Sequence, residues 1–256
     1  MFLAIIQARM SSTRLPGKVM KTVRGRPIIG YMFERLSHSR MIDKIILATS
    51  VNPVEDKLCD YIESEGFDVF RGSEDDVLER FYLAAQKYNA DYIVRATGDC
   101  PCIDPAVCDR LFGAFFKEKA DYAELSPDYA EGADCEVFTF KALEQAYNNA
   151  ILKSEREHVT LYFNKNPGLF KKFLLPNQTD DSKYRFTVDE EEDFVVVKAI
   201  FEALYKGKSS VFSLDDIKAF LDTHRGIYQL NNHIIRNEGL QISLNNDCIV
   251  KEAREK

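Results

Sequence analysis

Three cations, Arg9, Arg14 and Lys18, fall within ten residues in the segment Gln7-Ala8-Arg9-Met10-Ser11-Ser12-Thr13-Arg14-Leu15-Pro16-Gly17-Lys18, and no acidic residue separates them. Ser11, Ser12 and Thr13 add hydroxyl donors, and Gly17 permits close backbone approach. Converging N–H and O–H donors with permanent positive charge are what a polyphosphate requires. The spacing is not that of a Walker A loop, which needs Gly-x-x-x-x-Gly-Lys. A solvated basic surface loop would have the same composition. Its position supports the binding reading: the apolar run Leu3-Ala4-Ile5-Ile6 directly before it reads as a buried strand. In an open α/β sheet, ligands bind beyond the carboxyl ends of the strands.

Two further segments have the form of a strand that ends in a carboxylate. One is Arg95-Ala96-Thr97-Gly98-Asp99-Cys100-Pro101, and the other is Arg185-Phe186-Thr187-Val188-Asp189-Glu190. If both strands run parallel in one sheet, Asp99 and Asp189 emerge at one edge beside the basic loop. Magnesium takes one or two carboxylates together with phosphate oxygens. Gly98-Asp99 and Cys100-Pro101 would equally build a turn, and Asp189 with the acidic run 190–192 would equally start a helix. In Glu131-Gly132-Ala133-Asp134-Cys135-Glu136, the alternation puts Asp134 and Glu136 on one face of an expected strand. There they could meet hydroxyls or an amine, or form an exposed strand edge. His158, between Glu157 and apolar residues on an expected helix, reads as a structural, hydrogen-bonded histidine.

Periodicity supplies the elements that would position these groups. Strands are expected at 3–6, 44–49, 68–70 and 91–95, alternating with helices at 27–37, 54–65, 75–88 and 105–117. That order implies an α/β fold, a mostly parallel sheet with helices on both faces. Further on, strands are expected at 135–140 and 184–188, and helices at 141–150, 155–163, 190–204 and 214–221. We divide the chain into a domain over 1–225 and a tail over 226–256 without clear period, a candidate dimerisation or docking element.

The chain has 256 residues and a formal net charge of −7. That acidity argues against nucleic acid or an anionic membrane as a partner, so a bound anion must be held by local positive charge. No apolar run approaches the ~20 residues of a membrane span, and the apolar start lacks the preceding basic residues of a signal peptide. The six cysteines are scattered, and no histidine completes a zinc spacing near Cys100, Cys102 and Cys108. Reduced thiols in a cytoplasmic protein follow.

Taken together, Ala8-Arg9-x-x-Ser12-x-Arg14-Leu15-Pro16-Gly17-Lys18, Gly98-Asp99-x-Pro101 and Val188-Asp189 resemble the sugar cytidylyltransferases. That family includes synthetases of CMP-linked Kdo and sialic acids. The segments 71–81 and 155–160 are similar to its spore coat polysaccharide biosynthesis protein F subgroup. The resemblance covers most of residues 1–225 and implies a Rossmann-like nucleotidyltransferase fold. It also implies an enzyme that couples CTP, or another nucleoside triphosphate, to a small anionic acceptor such as an acidic sugar, with release of pyrophosphate.

By the same resemblance, Arg9, Arg14 and Lys18 hold the triphosphate with Ser12 and Gly17, and Asp99 and Asp189 bind Mg2+. Ala8, Arg71, Ser73, Thr97 and Gly98 lie around the nucleotide, Asp134 and Glu136 line the acceptor pocket, and the protein is a homodimer. Where acid-sugar synthetases often have Gln-Gly-Asp, this chain has Thr97-Gly98-Asp99, which alters the expected base contacts. Two alternatives remain at this level. One is a glycosyltransferase with a similar nucleotide-binding sheet, and the other is a non-catalytic assembly protein that retains nucleotide binding.

Overall fold

The computed structural model describes residues 1–236 and 238–250. The N-terminal half alternates strand and helix. Strand β1 (Phe2–Gln7) leads through the basic loop to a small hairpin, β2 (Thr22–Val23) and β3 (Arg26–Pro27). Then come α1 (Ile28–Leu36), β4 (Lys44–Ser50), α2 (Asp56–Ser64), β5 (Asp68–Gly72), α3 (Val77–Lys87), β6 (Tyr92–Thr97) and α4 (Pro105–Glu118). The second half holds β7 (Tyr122–Leu125), β8 (Glu136–Thr139), α5 (Phe140–Asn149), α6 (Lys153–Glu157), α7 (Leu161–Lys165) and β9 (Lys172–Leu175). It continues with α8 (Glu191–Leu204), α9 (Leu214–Thr223), α10 (Arg225–Tyr228) and α11 (Glu238–Asn245).

The main sheet has seven strands in the order β5-β4-β1-β6-β8-β7-β9. Strands β5, β4, β1 and β6 are parallel neighbours, β8 is antiparallel to both β6 and β7, and β9 is parallel to β7. Alternation along each central strand divides the core into two layers. Phe2, Ala4 and Ile6 of β1 face the layer with α1, α4, α8 and α9, while Leu3 and Ile5 face the layer with α3 and α5. In the same way, Ile45 and Leu47 of β4 face the first layer and Ile46 and Ala48 the second. Burial on both faces explains why these strands read as unbroken apolar runs.

Several expectations are corrected. Residues 184–188 are extended but form no strand of the sheet. They run beside Glu131 through a single parallel bridge at Arg185, with Phe186 N–H donating to the Glu131 carbonyl at 2.7 Å and Val188 N–H to the Asp99 carbonyl at 2.8 Å. The helix expected over 155–163 is two short helices, α6 and α7, interrupted at His158. Strands β7 and β9 and the helices of the tail were not expected. Asn237 and residues 251–256 of that tail lie outside the described residues.

The tail folds back on the domain. α10 packs on α8 and α9, and α11 packs on α6. At its far end the Asp247 carboxylate accepts from Ser154 Oγ at 2.6 Å, and Ile249 bridges to Leu152.

Candidate active site

The basic loop leaves the carboxyl end of β1 between the ends of β4 and β6. Gly17, at φ 69°, occupies the left-handed conformation, and its N–H donates to the Met10 carbonyl at 2.9 Å, closing the loop. From below, the carboxylate of Glu55 accepts the Met10 N–H at 2.9 Å, and Ser11 Oγ donates to Glu74 at 2.9 Å. Glu55 is fully buried, and that burial raises its pKa despite the Met10 N–H. Gly98 N–H donates to the Gln7 carbonyl at 2.8 Å. A Cβ at Gly98 would stand 2.7 Å from that of Ala8, so only glycine lets the two strand ends approach this closely.

Lys18 is the centre of the site. Its side chain is 11% exposed, and its Nζ donates to Asp99 Oδ2 at 2.6 Å and to Asp189 Oδ1 at 2.8 Å. The two carboxylate oxygens therefore lie no more than 5.4 Å apart, the sum of those distances. Burial works against the Lys18 charge, but Asp99 and Asp189 outweigh it and hold its pKa above the usual lysine value. The converse holds at Asp99: burial alone would raise its carboxyl, and Lys18 brings it below the usual range.

Arg14 joins the group, with Nη2 at 3.0 Å from Asp189 Oδ1 and Nη1 at 3.3 Å from both Glu190 and Glu238. Arg9 is exposed and makes no ion pair or side-chain hydrogen bond among the described residues. The Ser12 hydroxyl accepts the Leu15 N–H at 3.4 Å, which shapes the turn.

The remaining expected residues take varied places. Thr97 ends β6 beside Asp99, its hydroxyl 3.2 Å from Cys100 Sγ. Arg71 and Ser73 lie at the end of β5, two strands from β1. The Arg71 guanidinium is turned to the Ser50 and Asn52 carbonyls and to Asp56 at 2.6 Å, and the Ser73 hydroxyl accepts the Asp76 N–H at 3.0 Å. Asp134 and Glu136 do not share a strand face, because β8 begins at Glu136. Glu136 is inside, paired with Arg95 and accepting from the Tyr122 hydroxyl at 2.6 Å, and Arg95 holds its carboxyl below the usual range against the effect of burial. Asp134 is half-exposed, accepts the Gly132 N–H at 2.9 Å and lies 3.7 Å from Arg236. Among the described residues His158 Nε2 is buried with no hydrogen-bond partner, and burial depresses the pKa of the ring. At that nitrogen the expected hydrogen bond is not made.

Two groups at the site had no assigned role. Arg185 reaches Asp189 at 3.0 Å, and Glu238 of the tail reaches Arg14. Arg185 lay in plain view in the motif 185–190, but nothing in its spacing shows which way it points. No helix among the described residues is long and apolar enough to cross a membrane.

Comparison with known proteins bears on this geometry. The chain is 34% identical over 207 residues to the spore coat polysaccharide biosynthesis protein SpsF of Bacillus subtilis, covering 78% of this chain and 86% of that protein. A cytidylyltransferase structure from Leptospira borgpetersenii superposes with a TM-score of 0.85 at 36% identity, over 92% of this chain and 99% of the other. CMP:2-keto-3-deoxy-manno-octonic acid synthetase complexed with CTP shares the fold, with a TM-score of 0.59 at 17% identity over 78% of this chain and 98% of the other. The family model described as cytidylyltransferase matches residues 3–240, which decides against the glycosyltransferase and assembly-protein alternatives. The chain belongs to the cytidylyltransferase family and is a CTP-dependent nucleotidyltransferase.

Proposed function

We propose that this enzyme transfers the cytidylyl group of CTP to an oxygen of a small anionic sugar or related acceptor. Pyrophosphate is released, and the product is a precursor of a surface polysaccharide or glycan. The observation that carries this reading is the junction at Lys18, where two carboxylates and a second cation, Arg14, converge beyond the ends of β1 and β6. The acceptor oxygen attacks the α-phosphorus in line. A new oxygen–phosphorus bond forms as the bond to the bridging oxygen of the β-phosphate breaks, and the acceptor hydroxyl gives its proton to water. Positioning and charge compensation carry such a reaction, which needs no covalent intermediate on the protein.

Arg14 and Lys18 compensate the charge that builds on pyrophosphate. Arg9, the Ser12 hydroxyl and the Gly17 backbone bind the rest of the triphosphate. Ala8, Thr97 and Gly98 border the nucleotide, with Arg71 and Ser73 at its outer side. Asp99 and Asp189 fit Mg2+, since two hard carboxylates within 5.4 Å repel each other unless a cation joins them. Held by these two carboxylates, magnesium would supply positive charge to the α-phosphate and lower the proton affinity of the acceptor oxygen. Lys18 then turns from the carboxylates to the phosphates, exchanging one set of charged contacts for another. Because Glu136 is saturated by Arg95 and Tyr122, Asp134 is the freer group for acceptor hydroxyls or an amine. The reading also places the enzyme in the cytoplasm as a homodimer; exposed Ile235 and Ile242 on the tail support the dimer.

The test is pyrophosphate release by the purified protein with Mg2+, each of the four common nucleoside triphosphates and a panel of acidic and neutral sugars. Release with CTP that depends on one acceptor is expected. Release that is indifferent to the base, or that needs no acceptor, defeats the reading.

A further inference from the structure

Asp189 is held on two sides. In front, its Oδ1 accepts from Lys18 and forms an ion pair with Arg14, the cations assigned above to the phosphates. Behind, its Oδ2 accepts from Arg185 Nη2 at 3.0 Å. When the front cations move to the nucleotide, Arg185 is the group left to fix the carboxylate.

The Arg185 fork cannot easily turn. Its Nε donates to Asp193 Oδ1 at 2.8 Å, one Nη2 hydrogen to Asp193 Oδ2 at 3.0 Å, and Nη1 to Glu131, leaving the second Nη2 hydrogen aimed at Asp189. Asp193 is in turn fully buried and accepts the Asp189 and Glu190 N–H groups at 2.9 and 3.0 Å. One more donor completes it, and that donor comes from the tail. Asn231, 3% exposed, gives its amide to Asp193 Oδ1 at 2.8 Å and to the Arg185 carbonyl at 3.3 Å. Asn231 thus ties the Asp193 side chain to the Arg185 backbone. Without it, a buried carboxylate oxygen loses a partner and the fork loses a constraint.

We propose that the C-terminal segment is a working part of the active site, in which Asn231 acts through Asp193 and Arg185 as a positioning residue for the Asp189 carboxylate. The proposal rests on the reading of Asp189 as a magnesium ligand. Partners one step behind a metal ligand typically contribute 10- to 100-fold in affinity or rate.

The test uses the full chain and two readouts, kcat with KM for CTP, and Mn2+ affinity of the complex with α,β-methylene-CTP, followed by the spin resonance of the free ion. Asn231→Ala is expected to lower kcat about 10-fold with KM for CTP changed less than about 2-fold, and to weaken Mn2+ binding about 10-fold. Ser243→Ala removes a different tail contact, to Glu157 at 3.2 Å, and is expected to leave both readouts at wild-type values. Arg185→Lys keeps the charge without the fork and is expected to share the Asn231→Ala defects; should it fail to fold, Asn231→Ala alone decides. An Asn231→Ala protein with a lower melting temperature but unchanged kcat and Mn2+ affinity overturns the positioning role. Asp189→Asn separates the two ideas. Undiminished Mn2+ binding there overturns the metal reading and the positioning proposal with it, whereas a defect there beside a normal Asn231→Ala overturns the positioning alone.

Discussion

Replacing Lys18 by methionine removes the one cation among the described residues that touches both carboxylates, and its position shows what that should cost. A lysine in a flexible basic loop would contribute to ligand binding and little to stability. This lysine is buried, and it separates Asp99 from an Asp189 oxygen no more than 5.4 Å away. Two unit charges at about 5 Å repel by about 3 kcal/mol at an effective dielectric near 20. Asp99 and Asp189 retain 24% and 18% exposure, and Asp189 keeps Arg14 and Arg185, so water and the remaining cations reduce that figure. A loss of about 1–2 kcal/mol follows, or a fall in melting temperature of roughly 2–8 °C for a chain of this size. Millimolar Mg2+ should restore part of the loss in Lys18→Met and raise the wild type less, because only the variant lacks a cation between the two carboxylates. Removing a group that compensates developing charge lowers kcat by about 100- to 1,000-fold. The assays are thermal unfolding with and without Mg2+, and pyrophosphate release. Lys18→Met with wild-type melting and turnover would refute both halves of the reasoning, and lowered melting with normal turnover would make Lys18 a structural residue only.

Asp99→Asn and Asp189→Asn should each lower turnover by at least about 100-fold and raise the Mg2+ requirement, while CTP affinity without metal holds or improves; weaker metal-free CTP binding in both would count against the metal assignment. Glu238→Gln removes an exposed competitor for Arg14. It should tighten CTP about 2-fold, in keeping with the small energy of exposed pairs, and equal dissociation constants by titration calorimetry would show that the contact does not gate the loop. The Lys18–Asp99 pair also sets a pH window. Asp99 is depressed, so its contribution is complete above about pH 4 and is lost as pH falls through its lower folded value. Lys18 is raised, so its contribution is complete below about pH 10 and is lost only as pH rises through its higher folded value. Wild type should therefore lose more stability than Lys18→Met between about pH 4 and 2, and parallel urea titrations in that range would contradict the pairing. Ile235→Ser with Ile242→Ser should shift the protein toward monomer in sedimentation without altering the Asn231 contacts; an unchanged dimer would place the interface elsewhere.

The parallel half of the sheet was legible because β1, β4 and β6 bury both faces, and nothing but an unbroken apolar run satisfies two core layers at once. Strand β9 gives no such signal, since Lys172 and Leu174 are exposed at the sheet's edge, and β7 is four residues long. Residues 184–188 show the opposite error. All five residues are buried, with Tyr184, Phe186 and Val188 in the core layer of α8 and α9, yet the backbone meets Glu131 and Asp99 only at isolated points. An apolar alternation in sequence reports which side chains face a core and says nothing of where the N–H groups go.

The site divides along a similar line. Residue types exposed the basic loop and both carboxylates, while the pairing of charges could not be read, because it joins positions up to 224 apart, as between Arg14 and Glu238. Pairing decides what the loop is before any ligand arrives. In sequence, its three cations stand free of acids. In the fold, Arg14 meets Asp189, Glu190 and Glu238, and Lys18 meets Asp99 and Asp189, so part of the chain's net charge of −7 is gathered onto the loop itself. A nucleotide therefore does not fall into a naked positive pocket. On the proposed function it would have to win two cations from carboxylates, and those carboxylates, once released, would repel each other unless a divalent ion arrived with the phosphates. Arg9, which has no acidic partner among the described residues, is the natural first contact in that exchange. Under that proposal, binding of the triphosphate and of its metal would be coupled, since each would remove the electrostatic obstacle to the other.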